Sequence, residues 1–225
     1  MNWFDHSILH FLNSFAGRSW IADATLVQIA DNNFLVGAVL MAMFWWAWIT
    51  YGKKGSAKRE ILAANLGMCA VAVDLARVLA LALPYRERPI RSPLLHFNYP
   101  FTADPESLIH WSSFPSDHAV LDFCIATGLW MVSRRLGILA ISYALLTNAP
   151  RIYAGTHFPT DVIAGAALGA AMAPLCDTTI IRGAAALEFL DRYPALLFAL
   201  LYAWTFEIAE MFNSLRTSPC WAQRR

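Results

Sequence analysis

Hydrophobic residues run through this chain in long blocks separated by short polar stretches, and the blocks read as helices rather than strands. Residues 34–51, 61–83, 117–133, 136–149 and 159–176 are each apolar with few charges inside. Runs of this length, without period-two alternation, predict helices that are buried all round or cross a membrane. Pro159 is a good first helical residue, and the Gly and Ala content behind it suits close helix packing. A further block, 194–213, is apolar until Glu207 and Glu210, and predicts a sixth span. Residues 3–31 are amphipathic at best, interrupted by Asp5, Arg18, Asp23 and Asp31, and predict one or two short helices lying on the membrane surface. The pattern predicts an all-α polytopic membrane helix bundle: five core spans, N-terminal interfacial helices and that sixth span, in one domain over residues 1–225.

Composition strengthens this picture. Hydrophobic residues make up 58% of the 225-residue chain and charged residues 15%, too apolar for an ordinary soluble domain. A net charge of +1 gives no bulk attraction to nucleic acid. Cys69, Cys124, Cys176 and Cys220 are scattered without a CxxC pair and read as small apolar fillers. The first residues lack the basic and short apolar regions of a cleaved signal peptide, so insertion is expected to rely on the internal apolar segments.

Charge sets an orientation. "GKKGSAKRE" holds every lysine of the protein (Lys53, Lys54 and Lys58) together with Arg59, and Arg134 and Arg135 close the 117–133 block. Positive loops mark the cytoplasmic side, and Trp45, Trp46, Trp48 and Tyr51 form an aromatic belt near one end of the first span. The polar stretches 84–116 and 148–158 then share the outer face. Arg216, Arg224 and Arg225 fit this scheme badly if 194–213 spans.

Three stretches carry the unusual residues: "YRERP" (85–89), "SSFPSDHA" (112–119) and "RIYAGTHFPTD" (151–161). Arg88 and Arg151 are permanently charged forks suited to phosphate oxygens. Ser116 and the amides around it sit at a helix start, where the dipole favours an anion. His118 lies in the first turn of that helix. His157 precedes another helix start, with Asp161 four residues on and able to orient a ring nitrogen. Phosphate binders, two histidines and an orienting carboxylate describe phosphoryl transfer through a histidine nucleophile, with the second histidine as acid. A metal site from His118, His157 and Asp161 would be opposed by two neighbouring arginines. Asp122, four residues after His118, repeats the His157–Asp161 spacing; it either supports His118 as an acid or pairs with Arg77, for which Asp74 competes. Phe97, Tyr99, Phe101, Trp111 and Phe114 read as interfacial anchors.

Together these stretches resemble the tripartite signature of the type-2 phosphatidic acid phosphatase superfamily of membrane lipid phosphatases. Its Arg-Pro, Pro-Ser-Gly-His and Ser-Arg-x5-His-x3-Asp motifs are met by Arg88–Pro89, Pro115–Ser116–Asp117–His118, and Arg151, His157 and Asp161, with Pro150 in place of the serine. The signature region covers about residues 60–176. The resemblance implies a metal-independent and cofactor-free phosphatase. His157 would be the nucleophile, Asp161 its partner and His118 the general acid, with Arg88, Arg151, Ser116 and Asp117 around the phosphate. The first motif normally opens with a lysine seven residues before its arginine; here that position is Leu81, and Arg86 is the natural substitute by reach. Asp117 stands for glycine, where a carboxylate should repel phosphate unless it points away or caps the helix. "FPSDHA" without the lysine resembles the undecaprenyl pyrophosphate phosphatase branch. The substrate expected on that resemblance is a polyprenyl pyrophosphate at the outer face of a bacterial inner membrane. Alternatives are phosphatidate or phosphatidylglycerol phosphate as substrate, a non-catalytic lipid-phosphate carrier or scaffold, and the related vanadate-dependent haloperoxidases, against which the hydropathy argues.

Overall fold

The computed structural model describes residues 2–54, 56–105, 111–177 and 192–210. Among them every regular element is helical: α1 Trp3–Asn13, α2 Trp20–Asp31, α3 Asn33–Tyr51, α4 Ala57–Ala82, α5 Asp117–Val132, α6 Arg134–Tyr153, α7 Pro159–Met172 and α8 Pro194–Ala209. Short 3-10 turns occupy Pro89–Arg91 and Ala173–Asp177. Local chemistry sets several starts. The side chains of Asn2, Ser19, Ser56 and Ser116 accept hydrogen bonds from backbone N–H groups in the first turns of α1, α2, α4 and α5.

Helix α5 is the axis of the bundle. Most of its apolar residues, from Ala119 to Val132, are buried, and α4, α6 and α7 pack around it. Helices this apolar all round belong in a core or a bilayer. The α5–α7 contact is close enough that a Cβ on Gly165 would lie 2.4 Å from the Ser116 carbonyl oxygen. Glycine there lets the start of α5 rest on the first turns of α7.

The all-α expectation agrees with this architecture, but the span count does not follow from helix length. Among the described residues, one helix, Ala57–Ala82, is long and apolar enough to cross a membrane. Its 26 residues rise about 39 Å at about 1.5 Å each. Helix α2 and residues 36–51 of α3 pass together as one broken span bent by 57°. Helices α5 and α7 have 16 and 14 residues, fewer than the roughly 20 needed for a full crossing, and α8 also has 16. Arg216, Arg224 and Arg225 lie outside the described residues.

The N-terminal helices depart most from expectation. Asp5 and Asp23, read as polar interruptions of surface helices, are both 0% exposed. The Asp23 carboxylate accepts from the N–H of Gly17 and of Phe101 and from the Tyr153 hydroxyl. Asp5 reaches α7. Asp5 accepts from Thr160 of α7 and Asp23 from the Tyr153 hydroxyl of α6, so α1 and α2 are stitched onto the bundle while their aromatics, such as Trp3 and Trp20, remain exposed.

Candidate active site

Helix ends build the site. α4 ends and leads into the extended stretch that carries Arg86 and Arg88; α5 starts at Asp117–His118, the last turn of α6 holds Arg151, and α7 starts beyond His157. The last turn of α6 folds back on itself: the Arg151 carbonyl accepts from the N–H of Thr156 at 3.0 Å and from its hydroxyl at 2.9 Å. Gly155 makes that reversal with φ +75, and a Cβ there would strike the Phe97 ring at 2.6 Å. The Gly155 carbonyl in turn accepts from the Ile90 N–H at 2.9 Å, docking the Arg88–Pro89 segment beside the turn.

Arg88, Asp117, His118, Arg151 and His157 share one cavity of about 60 Å³, with Arg77, Asp31 and Trp111 also in its wall. One donor atom each from Asp117, His118 and His157 lie within 4.8 Å of one another. That spacing suits a small ion, but the guanidinium groups of Arg88 and Arg151 beside it favour an anion over a cation.

His157 is 3% exposed. Its Nδ1 meets the Ser113 carbonyl at 2.8 Å, so Nδ1 carries the proton and Nε2 keeps its lone pair. Burial pushes its pKa below the ordinary 6.5; Arg88 pushes the same way, against a hydrogen bond and charge from Asp161 and the charge of Asp117. Across the cavity the His118 Nδ1 meets Asp117 Oδ1 at 3.0 Å. Arg88 donates to the Thr156 carbonyl at 2.6 Å. Arg151 is 4% exposed, and its Nε and Nη2 have no hydrogen-bond partner among the described residues. Orphaned donors on a buried cation are costly, by more than the roughly 1–3 kcal/mol of a neutral group, unless a ligand meets them.

The sequence profile of the PAP2 superfamily matches residues 66–180, just over half of the chain and all of the cavity's signature residues. The chain belongs to the PAP2 superfamily. It is accordingly a phosphatase, a hydrolase. It is 24% identical over 159 residues to undecaprenyl-diphosphatase BcrC of Bacillus subtilis, covering 71% of this chain and 75% of that one. With the undecaprenyl-diphosphatase of Sulfolobus acidocaldarius it shares 33% identity over 96 residues, 41% of this chain and 46% of the relative. The crystal structure of LpxE from Aquifex aeolicus superposes with a TM-score of 0.52 at 27% identity, over 76% of this chain and 92% of that one.

Set against the PAP2 motifs, several side chains stand elsewhere than the sequence suggested. Leu81, at the lysine position, is 86% exposed, and it is Arg77, one turn earlier on α4, that reaches the cavity wall. Arg86 does not line the cavity with Arg88 and Arg151, because its guanidinium is held by carboxylates at the α7 start. It donates to Asp5 at 2.6 Å, to the Thr160 hydroxyl at 2.9 Å and to Asp161, and lies 4.1 Å from the centre of the Phe158 ring. Ser116 caps α5 through its hydroxyl, accepting from Ala119 N–H at 3.4 Å, and is fully buried. Asp117 lines the cavity and turns a carboxylate oxygen onto His118 Nδ1 at 3.0 Å. Asp122 accepts from Asn148 Nδ2 at 2.8 Å, while Arg77 pairs with Asp74 at 3.8 Å; neither partner expected for Asp122 is the one found. Asp161 stands 3.9 Å from His157 Nδ1, and the shorter contact of that nitrogen is the Ser113 carbonyl.

Two contributors had weak sequence signals. A backbone carbonyl such as that of Ser113 carries none. Asp5 had one: a carboxylate three residues after an Asn cap, inside a helix otherwise rich in aromatics.

Proposed function

We propose that this PAP2 phosphatase is an integral membrane enzyme that removes the terminal phosphate of a polyprenyl diphosphate through a phosphohistidine. The observation that carries the reading is the cavity in which the unpartnered N–H groups of buried Arg151 stand with Arg88 between two histidines. Two relatives bearing the name undecaprenyl-diphosphatase support the substrate class.

In this reading Arg88 and Arg151 take the oxygens of the terminal phosphate, and Arg77 takes the charge assigned in the family to the missing lysine. The Ser113 carbonyl fixes the His157 ring so that Nε2 attacks phosphorus. A nitrogen–phosphorus bond forms as the bond from phosphorus to the bridging oxygen breaks, and His118, steadied by Asp117, gives that oxygen its proton. His118 then takes a proton from water, whose oxygen displaces His157 and releases inorganic phosphate. Developing negative charge is met by guanidinium groups that need not reorganise.

A lipid substrate accounts for the site's position. The ends of α4 and α6 and the starts of α5 and α7 share the site side, while Lys53, Lys54, Lys58, Arg134 and Arg135 lie at the opposite helix ends. By the charge rule the site faces outward, in a bacterium toward the periplasm. Val78, Leu139, Leu146 and Ile163 present exposed apolar side chains around the bundle, a surface suited to lipid tails. Five core spans, with the shorter helices crossing where the bilayer is locally thinned, remain our proposed topology.

The test is phosphate release by detergent-purified protein from undecaprenyl diphosphate and from phosphatidate, with excess chelator and beside His157→Ala. Chelator-resistant release that is faster from the diphosphate and absent in the variant is expected. Release abolished by chelator, or retained by His157→Ala, would refute the mechanism; faster release from phosphatidate would refute the substrate.

A further inference from the structure

The start of α7 is held by a charge chain that begins far outside the matched PAP2 region. Asp5, on α1, is fully buried. Its Oδ1 accepts from the Thr160 N–H at 2.9 Å, and its Oδ2 accepts from the Thr160 hydroxyl at 2.7 Å and from Arg86 Nη2 at 2.6 Å. The other terminal nitrogen of Arg86 donates to Thr160 Oγ1 at 2.9 Å and to Asp161 Oδ1. The second oxygen of Asp161 accepts from the Phe158 N–H at 2.7 Å and faces His157 Nδ1 at 3.9 Å. Asp5, Arg86, Asp161 and His157 thus form one line, buried except at Arg86, whose side chain is 27% exposed.

We propose that Asp5 and Arg86 are positioning residues of the phosphatase site: Arg86, shared between Asp5 and Asp161, sets how much of the Asp161 charge is felt by His157. The inference rests on the reading of His157 as the nucleophile. Two carboxylates dividing one guanidinium leave Asp161 only partly neutralised. A bare Asp161 would hold a proton on the imidazole and block attack, whereas a fully neutralised one would hold the ring loosely and leave its developing charge unsupported. Other charges share the cavity with His157: Asp31 from α2, Arg77 from α4, Arg88 from the segment after it, Asp117 and His118 from α5, and Arg151 from α6. Arg86 differs from these because it acts from behind Asp161, where no substrate oxygen reaches it.

The charge division makes opposite predictions for its two ends. Arg86→Met leaves Asp161 unneutralised, so the acid limb of kcat/KM moves up by about 1 pH unit. Asp5→Asn is nearly isosteric and gives Arg86 wholly to Asp161, so the limb moves down by about half a unit. Arg86→Lys keeps the charge and is expected to stay near the wild-type midpoint. The same midpoints are read without turnover by NMR titration of the His157 ring in histidine-labelled protein, with His157→Gln identifying the signal. Opposite displacements for Arg86→Met and Asp5→Asn support the chain. Midpoints unchanged or displaced in the same direction would overturn it, even if rates fall. Should Arg86→Met not fold, Asp5→Asn decides alone, since a structural role would lower its melting temperature without moving the ring downward. If wild-type protein releases no phosphate, the functional reading fails while the ring titration still decides this inference.

Discussion

Arg86 and Arg151 lie in two of the three unusual stretches, and the fold treats them in opposite ways. Arg86 is saturated: two carboxylates, a hydroxyl and an aromatic face surround its guanidinium. Arg151 is more deeply buried, yet two of its nitrogens meet no acceptor among the described residues. A buried cation with carboxylates in place belongs to the scaffold, because its charge is already spent within the protein. A buried cation left short of acceptors holds that charge for something that arrives. The number of basic residues near a site therefore says less about ligand binding than the number of their donors still open.

The contrast can be broken by experiment. The largest effect is expected from Arg151→Met, which should lower kcat/KM by about 10²–10³-fold, the range for loss of one preorganised donor, while the melting temperature holds or rises. A large fall in stability with little loss of turnover would reverse the assignment. Next comes Arg86→Met, expected to lower unfolding stability by about 3 kcal/mol, the low end for breaking a buried pair, because Asp5 and Asp161 lose their shared cation. Chemical denaturation in detergent reads this; a stability equal to wild type would show that the pairing is idle.

Arg77→Met gives a smaller expected change, about tenfold in kcat/KM, greater for a diphosphate than for a monophosphate lipid. Equal losses on both substrates would remove Arg77 from the cradle. The smallest effect is one of pH. Burial holds the His157 pKa below 6.5, so the unfolded chain takes up this proton first as pH falls. Its contribution to stability is complete above 6.5 and declines below that value. The acid limb of kcat/KM should correspondingly have its midpoint below 6.5, and a midpoint above it would contradict the burial of a neutral ring.

The same contrast explains what could be read from the chain beforehand. Helix blocks were legible because apolar runs bounded by Pro, Ser and charged loops leave few alternatives. The cavity's Arg88, His118, Arg151 and His157 were legible because each lies at a helix end within a short motif. The partner of each polar group was not. Arg86 and Arg88 are two residues apart in an extended stretch, where alternate side chains face opposite ways, and only packing decides which one meets the cavity. Asp122 was the candidate for His118 and Asp117 was read as pointing away or capping the helix, yet Asp117 meets His118 while Asn148 on α6 engages Asp122. The bounds of α5 were legible too, since Asp117–Val132 stops within one residue of its apolar block; what an apolar block does not encode is the local bilayer thickness that decides whether 16 residues make a span.

The hydrogen bond from Thr160 to Asp5 joins residues 155 positions apart, and that separation has a meaning for biogenesis. The ribosome must pass Arg88, His118, Arg151 and His157 and reach Thr160 before Asp5 can meet its last partners. Until Thr160 exists the Asp5 carboxylate lacks the two donors that seat it on α7, so α1 cannot take its place there. Docking of the first helix against α7 therefore waits until every motif of the site has been made.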